Sequence, residues 1–72
     1  MDTSGVEMLE ALVDKYGLED MLSGLSFICG RKAERLAEDW QDINLAKIWM
    51  GYSTRIDTLS AEFLKLKNKI SM

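Results

Sequence analysis

Four groups of residues in this 72-residue chain have types and spacings that could carry chemistry. Asp39-x-x-Asp42-x-Asn44 offers oxygen ligands for a hard cation. A calcium loop, however, needs more carboxylates at tighter spacing and a glycine at its sharp turn. Helix capping and turn formation account for these three residues without a metal. Glu34 and Glu38 stand at i, i+4 near Arg31 and Arg35. Paired helical carboxylates build di-iron sites together with Glu-x-x-His pairs, and the chain has no histidine, so a salt-bridged solvent face is the reading here. Cys29 falls on an apolar helical stripe with no base nearby in the pattern, which marks an inert core residue and not a nucleophile. Lys65, Lys67 and Lys69 form a candidate anion contact for nucleic acid or lipid headgroups. Their place at the end of a helical pattern also suits the helix dipole. The net charge of −3 and the lack of aromatics among these bases argue against nucleic acid as the main partner.

The absences exclude more than the motifs support. Without histidine, acid–base catalysis near neutrality loses its usual carrier. One cysteine makes neither a disulfide framework nor a zinc or iron–sulfur site. No apolar run approaches the ~20 residues that cross a bilayer, and Met1-Asp2-Thr3 lacks the basic and apolar regions of a signal peptide. The expectation is a cytoplasmic, non-enzymatic protein with no cofactor, no catalytic residue and no membrane association.

The elements that must position any contact residue are helical, since helix formers dominate and no run alternates with period two. Ser4-Gly5-Val6-Glu7 fits a capping box, and Leu9, Leu12, Val13 and Tyr16 follow on one face, so a first helix is predicted over about 5–16, closed by Gly17. Leu18, Leu22, Leu25, Cys29, Ala33, Leu36 and Trp40 form one stripe and predict a second helix over about 18–40. Gly24 and Gly30 each cost about 1 kcal/mol in a helix, so a break is open there, but the unbroken stripe favours continuity. After a turn at 41–44, a third helix over about 44–69 carries Trp49, Tyr52, Ile56, Leu59, Phe63, Leu66 and Ile70 at alternating spacings of 3 and 4.

Aromatic residues fit poorly in a tight two-stranded zipper, so this seam predicts an intramolecular antiparallel hairpin. The expected pairing sets Leu36 and Ala37 opposite Trp49, Ala33 opposite Tyr52, Cys29 opposite Ile56, Leu25 opposite Leu59 and Leu22 opposite Phe63. Residues 1–42 carry ten acids and four bases, and residues 43–72 carry two acids and five bases, a split of −6 and +3 that favours contact between the halves. The fold class expected is therefore all-α, a single helical domain over 1–72: a short first helix on a long αα-hairpin.

A chain of this size buries only about 60% of its unfolded surface, and its core supplies only ~3–5 kcal/mol. With no disulfide or metal to help, completion by oligomerisation into a bundle is expected, a dimer first. Contact residues are then sought off the core. Phe27 stands among Ser23, Gly24, Gly30 and Arg31 on the polar side of the second helix, where small neighbours let another surface approach, and Met50 lies off the seam of the third. The first helix is expected to fold back along the second and to cover it to about residue 28, leaving an apolar patch built on Trp40, Ile48 and Trp49 for a second subunit or another protein.

The segments Leu25-x-x-Ile28-Cys29-x-x-Lys32-Ala33-Glu34-x-Leu36, Trp40-Gln41-Asp42 and Leu45-Ala46-Lys47-x-Trp49 resemble small all-helical proteins of unknown function encoded by bacteria and their phages. The resemblance spans about residues 18–50 and implies no activity and no site residue. It implies a prokaryotic or phage cytoplasmic protein. The functional expectation is an interaction module that associates with itself and binds another protein, as an inhibitor or adaptor of a host complex would. The competing expectation is a small nucleic-acid-associated regulator using the basic end of the third helix.

Overall fold

The computed structural model describes residues 1–71, with side chains through Lys69; the Ile70 end of the predicted seam lies outside the described side chains. The chain is all-α: α1 (Thr3–Tyr16), α2 (Leu18–Glu38) and α3 (Ile43–Ser71). Among the described residues no helix is long and apolar enough to cross a membrane.

Each boundary has a local cause. Asp2, and not Ser4, caps α1: its carboxylate accepts from the Gly5 N–H at 2.7 Å, and Ser4 lies inside the first turn. An aspartate uses the same reach as a serine and adds a charge that the helix dipole favours, so it displaces the expected capping box. Gly17 joins two helices by itself. Its N–H closes α1 on the Val13 carbonyl at 2.7 Å, and its own carbonyl accepts from Met21 at 3.1 Å to open α2. It sits at φ 86°, ψ 154°, a region that glycine alone adopts without strain.

α2 runs through Gly24 and Gly30 without a break and stops two residues sooner than predicted, leaving Trp40 in the connection. There the Asp42 N–H reaches back to the Leu36 carbonyl at 2.8 Å, and Gln41 takes a positive φ of 53°. Asp42 then caps α3, its carboxylate accepting from the Leu45 N–H at 3.1 Å.

α2 and α3 form the predicted antiparallel hairpin, but the contact line is rotated from the predicted one. Buried on α2 are Leu22, Ser26, Cys29 and Ala33, and buried on α3 is Ala46. Ser26 meets Ser53 and Asp57, where the expected pairing set residue 26 near 58–59. Small residues recur at sevens along this line, Ser26 and Ala33 on one helix and Ala46, Ser53 and Ser60 on the other. Interaxial distance follows the size of the side chains at the contact, so the two backbones lie close and the large residues are displaced sideways. Leu25, Leu45, Tyr52 and Leu59, all assigned to the core by the pattern, are each more than a third exposed.

α1 departs further from expectation. Among the described residues it packs on α2 and not on α3, and it buries none of its own residues. Leu9, Leu12, Leu18 and Leu25 therefore all remain open, and the expected cover as far as residue 28 is not formed. The chain exposes 6025 Å², against about 4,500 Å² for a compact monomer of this mass. Its radius of gyration is 14.8 Å, where about 11 Å is usual for this length. The molecule is flattened, 47 × 31 × 15 Å.

Two substitutions check the joints of this chain at fixed protein concentration. Gly17→Ala is expected to lose about 1–2 kcal/mol, because no atom crowds the new methyl but the backbone there is barred to alanine. Gln41→Gly is expected to gain up to about 1 kcal/mol by relieving its positive φ. Urea midpoints that do not move in these opposite directions would contradict the two joints.

Candidate interaction surface

Helical spacing sorts the hairpin into two broad faces. Leu18, Leu25, Cys29, Lys32 and Leu36 share one side of α2, and Leu45, Trp49, Tyr52, Ile56, Leu59, Phe63 and Leu66 share one side of α3. A groove of about 290 Å³ lined by Lys32, Arg35, Leu36, Trp40, Leu45 and Trp49 shows that the two sides adjoin across the hairpin. They form one largely apolar face, and Lys32 and Arg35 are the charges among the residues just named. The opposite face carries two further grooves that share Glu34, one beside Phe27, Gly30 and Arg31, the other beside Ala37, Ile43, Ala46 and Met50.

The predicted contact residues are thus divided. Trp40 and Trp49 belong to the apolar face. Trp40 is 77% exposed. Trp49 is half-buried, its ring edge-to-face with Tyr52 at 5.5 Å and 85°, with the Lys32 ammonium 5.4 Å above it. Ile48 is exposed and shares the angular position of Leu66 on α3, so it belongs to the apolar face, while Leu36 and Leu45 line the groove itself. Phe27 and Met50 are exposed on the opposite face, and the Arg31 guanidinium lies 5.7 Å from the centre of the Phe27 ring. One surface does not contain all five.

The lysine cluster is likewise dispersed. Residues two apart on a helix point about 200° from each other, so Lys67 is turned away from Lys65 and Lys69, which share one side of α3. Lys67 turns toward α2, its Nζ 3.5 Å from Glu19 Oε2. That pair is well exposed and holds the hairpin end only weakly.

One group on the page was missed by the sequence reading. The Ser26 hydroxyl, buried between the helices, donates to Asp57 Oδ1 at 2.6 Å, and the Ser53 hydroxyl lies 3.0 Å from both Ser26 Oγ and the Ser26 carbonyl. A serine beside a carboxylate resembles a nucleophile with its base, but Ser26 is buried between the helices and its hydroxyl is engaged by Asp57 Oδ1, the Ser53 hydroxyl and the Ser53 carbonyl. The arrangement instead ties one register of the hairpin through a charge-assisted hydrogen bond. Its signal in the sequence was the sevenfold recurrence of Ser and Ala, which counting apolar residues passes over. Cys29 is buried, as expected of a small core residue. Among the described residues no cluster of His, Cys, Asp or Glu is arranged to hold a metal ion. The chain matches no known family model, no curated protein and no solved structure.

The contact line can be checked at Ser26. Ser26→Ala removes the bond to Asp57 and should cost about 1 kcal/mol, or about 4–8 °C in melting temperature. Ser26→Leu should cost more, about 1–3 kcal/mol, by forcing the backbones apart. A leucine tolerated as well as serine would contradict the close approach of α2 and α3.

Proposed function

We propose that this protein is a non-enzymatic interaction module that works by docking the apolar face of its α2–α3 hairpin onto another helical surface. The single observation that carries the reading is that face itself. Leu18, Leu25, Leu45, Tyr52, Leu59 and Leu66 lie on it, from 38% to 56% exposed, in a continuous strip. Helices with an apolar stripe are stable when a second layer covers the stripe, and this hairpin provides one layer only. Exposed apolar patches larger than a few hundred Å² mark sites of association. The indoles at one end supply the residue type most enriched at binding hot spots. The opposite face carries the charges Arg31, Glu34, Glu38 and Lys47 around its grooves, beside a second, shorter apolar stretch of Ile43, Ala46 and Met50.

What supports the absence of catalysis is chemical. The chain has no histidine, and the Ser26 hydroxyl that donates to Asp57 is buried between the helices. A role as inhibitor or adaptor of a host complex follows the same logic, since a small module can act by occupying a surface.

Leu59→Glu places a charge in the middle of the strip, at a position 39% exposed in the single chain. Helical circular dichroism should be retained. Association with a binding partner, whether a second copy or a protein of the source cell, should weaken by on the order of a hundredfold, as loss of a well-packed anchor does. Wild-type and variant chains that hold the same partners equally well would contradict the reading.

A further inference from the structure

We infer that the occupant of the apolar face is a second copy of this chain, laid antiparallel, with α1 of each copy covering the tryptophan groove of the other. The inference rests on the proposed function above and names its partner.

Area is the first argument. The chain exposes 6025 Å², which exceeds the compact-monomer value by about 1,500 Å². A stable interface removes about 800 Å² from each partner. One self-interface along the strip, with α1 docked as well, absorbs an excess of this size. The strip also suits an isologous contact, because a twofold axis lying across the hairpin sets α2 of one copy antiparallel on α2 of the next and α3 on α3, which brings opposite ends together.

Reach is the second. α1 has 14 residues and α2 has 21, lengths of about 21 Å and 31 Å. α1 is rooted at Gly17, at the opposite end of α2 from Trp40. Even folded flat along its own hairpin, it stops short of the groove formed by Lys32, Leu36, Trp40, Leu45 and Trp49. In an antiparallel pair, the α1 end of one copy lies at the tryptophan end of the other, and the distance closes.

Charge is the third. α1 carries an apolar stripe of Val6, Leu9, Val13 and Tyr16 with no buried residue, flanked by Glu7, Glu10 and Asp14. The groove sets the apolar walls of Leu36, Trp40, Leu45 and Trp49 beside the cations Lys32 and Arg35. An acidic amphipathic helix and a groove of this kind complement each other, and α1 is the segment of the described chain left without a face to cover.

The test is an isotope-filtered NOE experiment on an equal mixture of labelled and unlabelled full-length chain, with the mass measured by sedimentation equilibrium. The expected result is twice 8.2 kDa, with intermolecular NOEs from the Leu9 and Val13 methyls to the indole protons of Trp40 and Trp49. Lys32→Glu should raise the dissociation constant on the order of tenfold at low salt, with the effect shrinking as salt rises. A monomer at several hundred micromolar would overturn the inference, as would a dimer whose intermolecular NOEs arise at Phe27 and Met50. The proposed function fails separately, on the Leu59→Glu comparison: a monomeric wild type that loses a host partner on that substitution leaves the docking reading standing and removes only the second copy.

Discussion

The approach of α2 to α3 along a line of small side chains is the constraint on which the rest of the structure depends. Ala33 is 3% exposed and Ala46 7%, and between them and Gly17 the contact is made by Ser26, Cys29 and Ser53. Close backbones leave no room for leucines and aromatics in the middle of the pair. Those side chains lean to one side, and the hairpin gains a register lock in Ser26, Ser53 and Asp57 at the expense of an internal apolar core. Polar groups that fix a register while adding little net stability are a known use of buried hydrogen bonds.

The consequence is energetic. Full burial of a leucine contributes about 1.5–3 kcal/mol, and Leu22 is the one leucine the hairpin buries. Among the described residues no large side chain is fully enclosed. The apolar residues that would stabilise a closed domain are present in the sequence but are spread on a face that the chain does not itself cover. Folding and association then draw on the same surface, so stability should depend on whatever partner is bound. A second copy satisfies the area, the reach of α1 and the charge of the groove together.

The helices were legible because each signal was local. Gly17, the Asp42 cap and the unbroken stripes through Gly24 and Gly30 fix the three elements to within two residues at every end. The start of α1 moved to Asp2 because a carboxylate outcompetes a hydroxyl at the cap. Which side of each stripe faces the other helix was not legible from apolar spacing. A heptad of leucines and aromatics looks the same whether it fills a hairpin or coats one side of it. The distinguishing information lay in Ser26, Ala33, Ala46, Ser53 and Ser60, residues of low hydrophobicity whose importance is their size. Trp40 and Trp49 stand together at the end of the hairpin, and Phe27 and Met50 stand off the apolar stripes on the other face, as helical spacing alone places them.

Small-angle X-ray scattering over a concentration series tests the central claim most directly, because the claim fixes both mass and shape. Two chains closed face to face and antiparallel should give a particle of twice 8.2 kDa whose longest dimension stays close to the 47 Å of one chain, growing in its 15 Å thickness alone. A particle of single-chain mass at every concentration, or a dimer of nearly doubled length, would contradict it.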